Sequence, residues 1–530
     1  MRATNMKKAM TMTRLLPILT IALAVLLTAS AHAAAPGITG PTFNLVAKDS
    51  YITQPDGQMM YSWGYGCNGT PSGFAPAAIN GGFCNTMQIP GPTLIVTEGQ
   101  TVTVSLTNSL PTSAGNTSIL FPGFNVTSTG GVVGLMTQEA APAGTVTYTF
   151  VASSPGTRAY YSGTQGDLQV EMGLYGAVIV LPAAVPTACT SGLAASNLAA
   201  EAHWGENDFR LAPAAYDHAK SCYDREYLFQ FSEMDPNIHN QALAQVNATA
   251  GCVAGAPGCS LEVPTEPYHP AYFLVNGRSM PDDMDPNYEP AYPHQPYNGD
   301  PHMHPGEQVL LRIIGQGRWQ HPFHEHGNHV RILGRDGNLI LSATDANSLA
   351  GPLLFTTTTT PGLAMDGIFY WTGRGLNWDA YGHDLTSKTG DPNAVLSCTP
   401  DANGYNTGAP TAINYFEWCQ DHNKPLEVAP FGDVAGGGPA TLPFPDLFTN
   451  GPWYGGSPYL GPDATIRAVG ATGTTPPSGT IANSPSKEAG FAFMWHSHNE
   501  REITTNNAFP GGMLMMMLVD SREFVIDETN

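Results

Sequence analysis

Apolar and polar residues alternate along Thr101-Val102-Thr103-Val104-Ser105-Leu106 and again along Thr145-Val146-Thr147-Tyr148-Thr149-Phe150. A strand sends successive side chains to opposite faces, so a period of two predicts strands with one buried face. Thr93-Leu94-Ile95-Val96 precedes the first run, with Glu98-Gly99 as the turn between them, and Tyr175-Gly176-Ala177-Val178-Ile179-Val180 extends the set. A second group lies at Tyr227–Phe231, Tyr272–Val275, Gln308–Ile314, His329–Leu333, Gly367–Trp371, Phe491–Trp495 and Met513–Val519. With 58 glycines, 45 prolines and only 12% charged residues, the chain is poorly suited to long helices and well suited to short strands joined by turns. The economical reading is an all-β chain of two successive β-sandwiches. Residues 36–185 form the first, 186–221 a connector with a short helix over Leu193–Ala202, and 222–375 with 488–530 the second.

The alternation lapses over 376–487, which holds Gly436-Gly437-Gly438 and several proline turns. We read it as a loop-rich insertion within the second sandwich, a third degenerate domain being the competing reading. At the other end, Lys7, Lys8 and Arg14 precede an apolar run from Leu15 to Leu27 and the small-x-small site Ala31-His32-Ala33. Residues 1–33 therefore read as a Sec-type signal peptide, which predicts a periplasmic or extracellular protein with no retained membrane span.

Charge and cysteines sharpen this picture. The formal net charge is −22, and Arg2, Lys7, Lys8 and Arg14 all lie within the expected signal peptide, so the remainder is more acidic still. A nucleic-acid partner is excluded on that ground. Eight cysteines in an exported chain predict disulfides, and nearest-neighbour pairing gives Cys67–Cys84, Cys189–Cys222, Cys252–Cys259 and Cys398–Cys419. None falls inside a histidine cluster.

Candidate chemistry concentrates in two short segments. His321-Pro-Phe-His324-Glu-His326-Gly-Asn-His329 is the densest histidine run, and Trp495-His496-Ser497-His498 is the second. His324 and His326 are two apart, as are His496 and His498, so each pair leaves one face of a strand. Neighbouring strands would bring four imidazoles together, a donor set suited to copper or zinc. A lone histidine is most often a hydrogen-bonded polar residue; two such pairs are harder to dismiss. Met513, Met515 and Met517 alternate as core residues would. Glu500 reads as a solvated turn, and His302, His304 and His383 as non-ligands. Asn247-Ala-Thr is a glycosylation acceptor only in a host that glycosylates exported proteins. No Gly-x-Ser-x-Gly elbow, phosphate loop or zinc-protease helix motif is present.

HPFHEHG (His321–Gly327) resembles the histidine motif in the last domain of multicopper oxidases, and WHSH (Trp495–His498) is similar to their His-Cys-His motif. IPGPTLIVTEGQTVTVSLTN (Ile89–Asn108), DLQVEMGLYGAVIV (Asp167–Val180) and FLVNGRSMP (Phe273–Pro281) extend the resemblance across most of the chain outside the insertion. It implies two cupredoxin-like Greek-key sandwiches and copper as cofactor. It also implies that a blue copper, held by two histidines and a cysteine, passes electrons to a trinuclear cluster of eight histidines.

The departures matter as much as the match. Leu120 and Pro122 stand where the resemblance places one first-domain histidine pair, and Tyr161 and Gly163 where it places the other. Ser497 replaces the thiolate and Glu502 the second histidine of the blue-copper set, which leaves His321, Glu502 and Met513 as a candidate second site. A hydroxyl cannot serve as the thiolate conduit. The expectation is thus one ion, copper or alternatively zinc, at His324, His326, His496 and His498. The protein would be an altered oxidoreductase acting on a small molecule or metal ion; a non-catalytic extracellular metal-binding scaffold is the alternative. The sequence names no protein partner.

Overall fold

The computed structural model describes residues 35–77, 84–374, 399–420 and 490–528, with the backbone of a strand at Gly456–Tyr459. The expected signal peptide, Cys398, His383 and most of the insertion lie outside the described residues.

Strands dominate, in two sandwiches. The first pairs two five-stranded sheets. One runs in the order 156–161, 175–181, 94–97, 37–39, 74–75; the other runs 59–67, 42–53, 101–108, 145–151, 127–129. Thr101–Asn108 alternates in burial along its length, as its sequence predicts. Glu98-Gly99 is the expected turn, and it carries the chain from one sheet into the other, with Gly99 at φ +84° where a side chain would be strained. Trp63, Val104, Leu106, Tyr148, Tyr160 and Val178 fill the space between the sheets.

The second sandwich pairs a seven-stranded and a six-stranded sheet. Arg225–Met234 is buried along its whole length because it is covered on both sides. Phe229 and Phe231 enter the second core with Phe323, Trp495 and the alternating Met513, Met515 and Met517. Leu228 faces the first sandwich, against Ala177, Ile179 and Ile95. Polar contacts reinforce that junction: Thr157 donates to Asp366 at 2.6 Å and Tyr175 meets Ser232 at 2.7 Å, while Tyr216 of the connector donates to the same Asp366 carboxylate at 2.6 Å. The two sandwiches therefore share a closed interface.

The connector helix spans Gly192–Trp204, two residues longer at its C-terminal end than expected and one at the other. A helix at Pro236–Ala248 was not anticipated, although its start signal is present. Pro236 occupies the first turn, where no N–H is needed, and Asp235 accepts from the Asn237 amide at 2.9 Å. Asp235→Ala should cost about 1 kcal/mol in a denaturant titration. Strands Thr42–Thr53 and Met59–Cys67, paired in register from Leu45↔Cys67 to Thr53↔Met59, were also not anticipated.

Three disulfides follow the nearest-neighbour scheme: Cys67–Cys84, Cys189–Cys222 and Cys252–Cys259. Cys419 is disulfide-bonded as well. From residues 399–420, Tyr415 and Phe416 pack on Ala200 of the connector helix, and Arg522 donates to the Tyr415 carbonyl at 3.2 Å. Gly456–Tyr459 adds to the sheet that carries the histidines, opposite Gly490–Phe493. Among the described residues, no helix is long and apolar enough to cross a membrane.

Candidate metal centre

The two histidine segments lie on adjacent antiparallel strands, His321–Glu325 and Gly490–Ser497. Their register sets Phe323 opposite Ser497 and His324 opposite His496. Alternation then divides the chemistry. His321, Phe323, Glu325, Trp495 and Ser497 turn into the sandwich, while His324, His326, His496 and His498 share the other face. Phe323 and Trp495 pack edge to face with centroids 6.1 Å apart, which fixes this register from the core side. His326 and His498 each sit one residue beyond the end of their strand.

His324, His326 and His496 converge, with one candidate ligand atom from each lying within 4.8 Å of the others. The Nε2 atoms of His326 and His496 are 3.2 Å apart. Two nitrogens bound tetrahedrally to one ion at roughly 2.0–2.1 Å would be about 3.3 Å apart, so that edge already has ligand geometry. The exposed His498 stands at the rim, its ring 4.8 Å from that of His324 and 5.5 Å from that of His496.

Neighbouring groups orient the donors. The His496 Nδ1–H donates to the Ser497 carbonyl at 2.7 Å, which turns the Nε2 lone pair outward. His324 Nδ1 meets Thr356 Oγ1 at 2.8 Å. Burial, and then the neighbouring His326, His498 and His496, push the His324 imidazole down to about 4. Burial likewise lowers His496. Both are therefore neutral near pH 7, the form that binds a metal. Glu325, between the two cluster residues of its strand but facing the core, takes a hydrogen bond from Thr357 at 2.6 Å, and burial holds its carboxyl far above the usual range.

On the core face the structure brings His321 and Glu502 together, and adds a partner not anticipated from sequence. His321 donates from Nδ1 to Glu502 and from Nε2 to Glu233, each at 2.9 Å. Ser497 donates its hydroxyl to Glu502. Burial alone would lower His321, but hydrogen bonding to and charge on Glu233 and Glu502 raise it to about 9. Glu233 had one signal, an acid close after the apolar run of the strand Arg225–Met234, whose other acid is Glu226. Met513, the third residue of the candidate second site, packs in the second core.

In the first sandwich, Leu120 and Tyr161 form an isolated bridge, with the Leu120 amide donating to the Tyr161 carbonyl at 2.7 Å. A side chain at Gly163 would meet Leu120 at 2.8 Å. The positions that would carry a second histidine wall are thus packed with apolar and aromatic groups. His302 and His304 are buried and each meets a carboxylate, Asp520 at 2.5 Å and Glu206 at 2.7 Å.

Residues 79–184 match the family model of the multicopper oxidases. The laccase abr2 of Aspergillus fumigatus is 36% identical over 117 residues, 22% of this chain and 18% of that laccase, so the chain spans less than a fifth of its relative's length. Two solved structures are similar at low identity. The multicopper oxidase mgLAC is 15% identical, with 90% of this chain and 86% of that one covered at a TM-score of 0.43. A blue copper oxidase from Nitrosomonas europaea is 16% identical, with 90% and 85% covered at the same score. The matched domain and the laccase relative, taken with the histidine motifs, make this chain a divergent multicopper-oxidase-like protein.

Proposed function

We propose that this protein is exported, and that it binds one copper ion at His324, His326 and His496, with His498 closing the set. The observation that carries the reading is the convergence of three imidazole donors within 4.8 Å on paired strands. The donors fit the ion: His324 and His496 are neutral near pH 7 and oriented by a hydroxyl and a backbone partner, and imidazoles are of the type that suits copper, with zinc the chemical alternative. In this reading residues 36–185 and 222–375 with 488–530 are the two cupredoxin-like domains, and 376–487 is an insertion.

Copper in such a nitrogen site supplies one-electron chemistry toward a small reductant such as a phenol or a metal ion. The chain's own contribution is to hold His324 and His496 neutral, fix the His496 tautomer and leave the His498 side open to solvent. A second reading, a non-catalytic metal-binding scaffold, is favoured by one feature: Ser497 stands where a thiolate conduit would be needed.

His326→Ala and His498→Ala separate these readings. Copper should raise the melting temperature of the parent protein, because an ion that binds only the native state stabilises it. His326→Ala should lose that shift, and His498→Ala should weaken it. Oxygen consumption with a phenolic reductant that both substitutions abolish supports the oxidoreductase. Turnover that survives in both, in metal-free protein, rules it out, and a copper-dependent melting shift without turnover supports the scaffold.

A further inference from the structure

We propose that His321, Glu233 and Glu502 form a proton-held clamp in place of a second metal site, and that this clamp positions the two histidine strands for a single ion. The second half of the proposal rests on the copper reading above; the first does not.

The geometry of the core-face cluster is that of a filled site. A metal needs a bare ring nitrogen, and both nitrogens of His321 are committed to carboxylates at 2.9 Å. The carboxylates are committed in turn. Glu233 accepts from the Arg318 amide at 2.7 Å, the Trp319 amide at 2.9 Å and the Tyr268 hydroxyl at 3.2 Å. Glu502 accepts from Ser497 and, through its other oxygen, from the Asn499 side chain at 2.9 Å. His321, Glu233 and Glu502 are all at most 1% exposed. The outer charged neighbours are Glu171, which receives the Tyr268 hydroxyl at 2.7 Å, and Arg318, which lies 4.1 Å over the Tyr268 ring.

A buried carboxylate pair bridged by one imidazolium leaves a single negative charge, well supplied with donors. An incoming cation would have to displace a proton held between two carboxylates, and it would meet a hydroxyl rather than a sulfur at Ser497. Electrostatically the imidazolium already does what a cation would do there.

The clamp also joins three pieces of chain: the strand Arg225–Met234 through Glu233, the first histidine strand through His321, and the turn after the second through Glu502. Ser497 lies between His496 and His498, and His321 is three residues before His324, all pointing away from the cluster face. The clamp therefore grips both strands from behind without offering an atom to the ion, which makes its members positioning residues.

The test uses the full mature chain. In metal-free protein at pH 7.5, nitrogen NMR should show His321 with both ring nitrogens protonated, alongside the similarly raised His302, and His321→Gln should remove the His321 signal while leaving that of His302. A His321 with one bare nitrogen overturns the clamp. If His321→Gln does not fold, Glu502→Asp, which keeps the charge, supplies the assignment by shifting the same signal. Copper titration should then give one ion in the parent and in His321→Gln, with affinity about 10–100-fold weaker in the variant. The variant's copper hyperfine splitting should also change. A second copper in the parent that His321→Gln removes overturns the proposal, and equal affinity with an unchanged spectrum removes the positioning role. If neither protein binds copper, the histidine-site reading fails, while the NMR result still decides the clamp.

Discussion

Arg225→Met should destabilise the fold by about 3–5 kcal/mol, the loss expected when one partner of a buried ion cluster is removed and its counter-charges stay behind. Arg225 is only 4% exposed and meets three carboxylates. Its Nε donates to Glu307 at 2.6 Å, one terminal nitrogen to Glu206, and the other reaches Glu528 at 3.4 Å. Burial would raise Glu206, yet Arg225 and His304 hold it below the usual carboxylate range. Glu528 shows the opposite balance, with burial pushing it up to about 8 because one guanidinium is shared among three acids. These residues come from the connector, the second sandwich and the C-terminal segment, so the cluster ties together parts far apart in sequence. A denaturant titration of Arg225→Met measures the loss directly. A change below about 1 kcal/mol would mean that the cluster relaxes into water.

The second large effect is loss of stability at alkaline pH. His321 is raised to about 9. Burial alone would lower His302, but Asp520 and Asp300 outweigh it and raise it to about 10. A histidine whose folded value lies above its unfolded one adds stability that is complete below about pH 6.5 and is lost as pH rises through the folded value. At about 1.4 kcal/mol per unit, each group contributes on the order of 3–5 kcal/mol below about pH 6.5, and about 3–4 kcal/mol remains at pH 7. The melting temperature of metal-free protein should therefore fall from about pH 6.5 upward, most steeply between about pH 7 and 9, and level off above about pH 10. His302→Gln should be less stable than the parent at pH 7 and show a flatter decline above pH 8. A parent curve that is level to pH 10 would contradict the charged state of both residues.

Much of the fold was legible because it rests on period-two alternation. Thr101–Leu106 and Thr145–Phe150 carry it clearly, and their polar faces stay partly open to solvent in the structure. Met59–Cys67 lacks it because the strand is buried on nearly every residue, so its sequence MMYSWGYGC reads as an aromatic and glycine run rather than as an alternation. The helix at Pro236–Ala248 shows the converse: its Asp-Pro start was readable, but its apolar face is narrow, with Ile238, His239 and Ala242 as the buried residues.

The histidine cluster was legible for the same reason as the strands. His-x-His fixes two side chains on one face, and only the pairing of the two strands had to be supplied by the fold. Glu233 was not, since nothing local links residue 233 to residues 321 and 502. A buried acid in an apolar strand signals only that a partner exists. The distinction between the exposed rim position of His498 and the buried His496 also depends on where the strand ends, which spacing alone does not give.

Whether the histidine cluster holds copper is decided by metal content, measured by mass spectrometry on mature protein, paired with an electron paramagnetic resonance spectrum after copper loading. We expect about one copper per chain, a nitrogen-rich signal without the intense blue absorption of a copper–thiolate bond, and loss of that ion in His326→Ala. Correctly folded protein that retains no copper, or an ion that persists when His326 is gone, would contradict it.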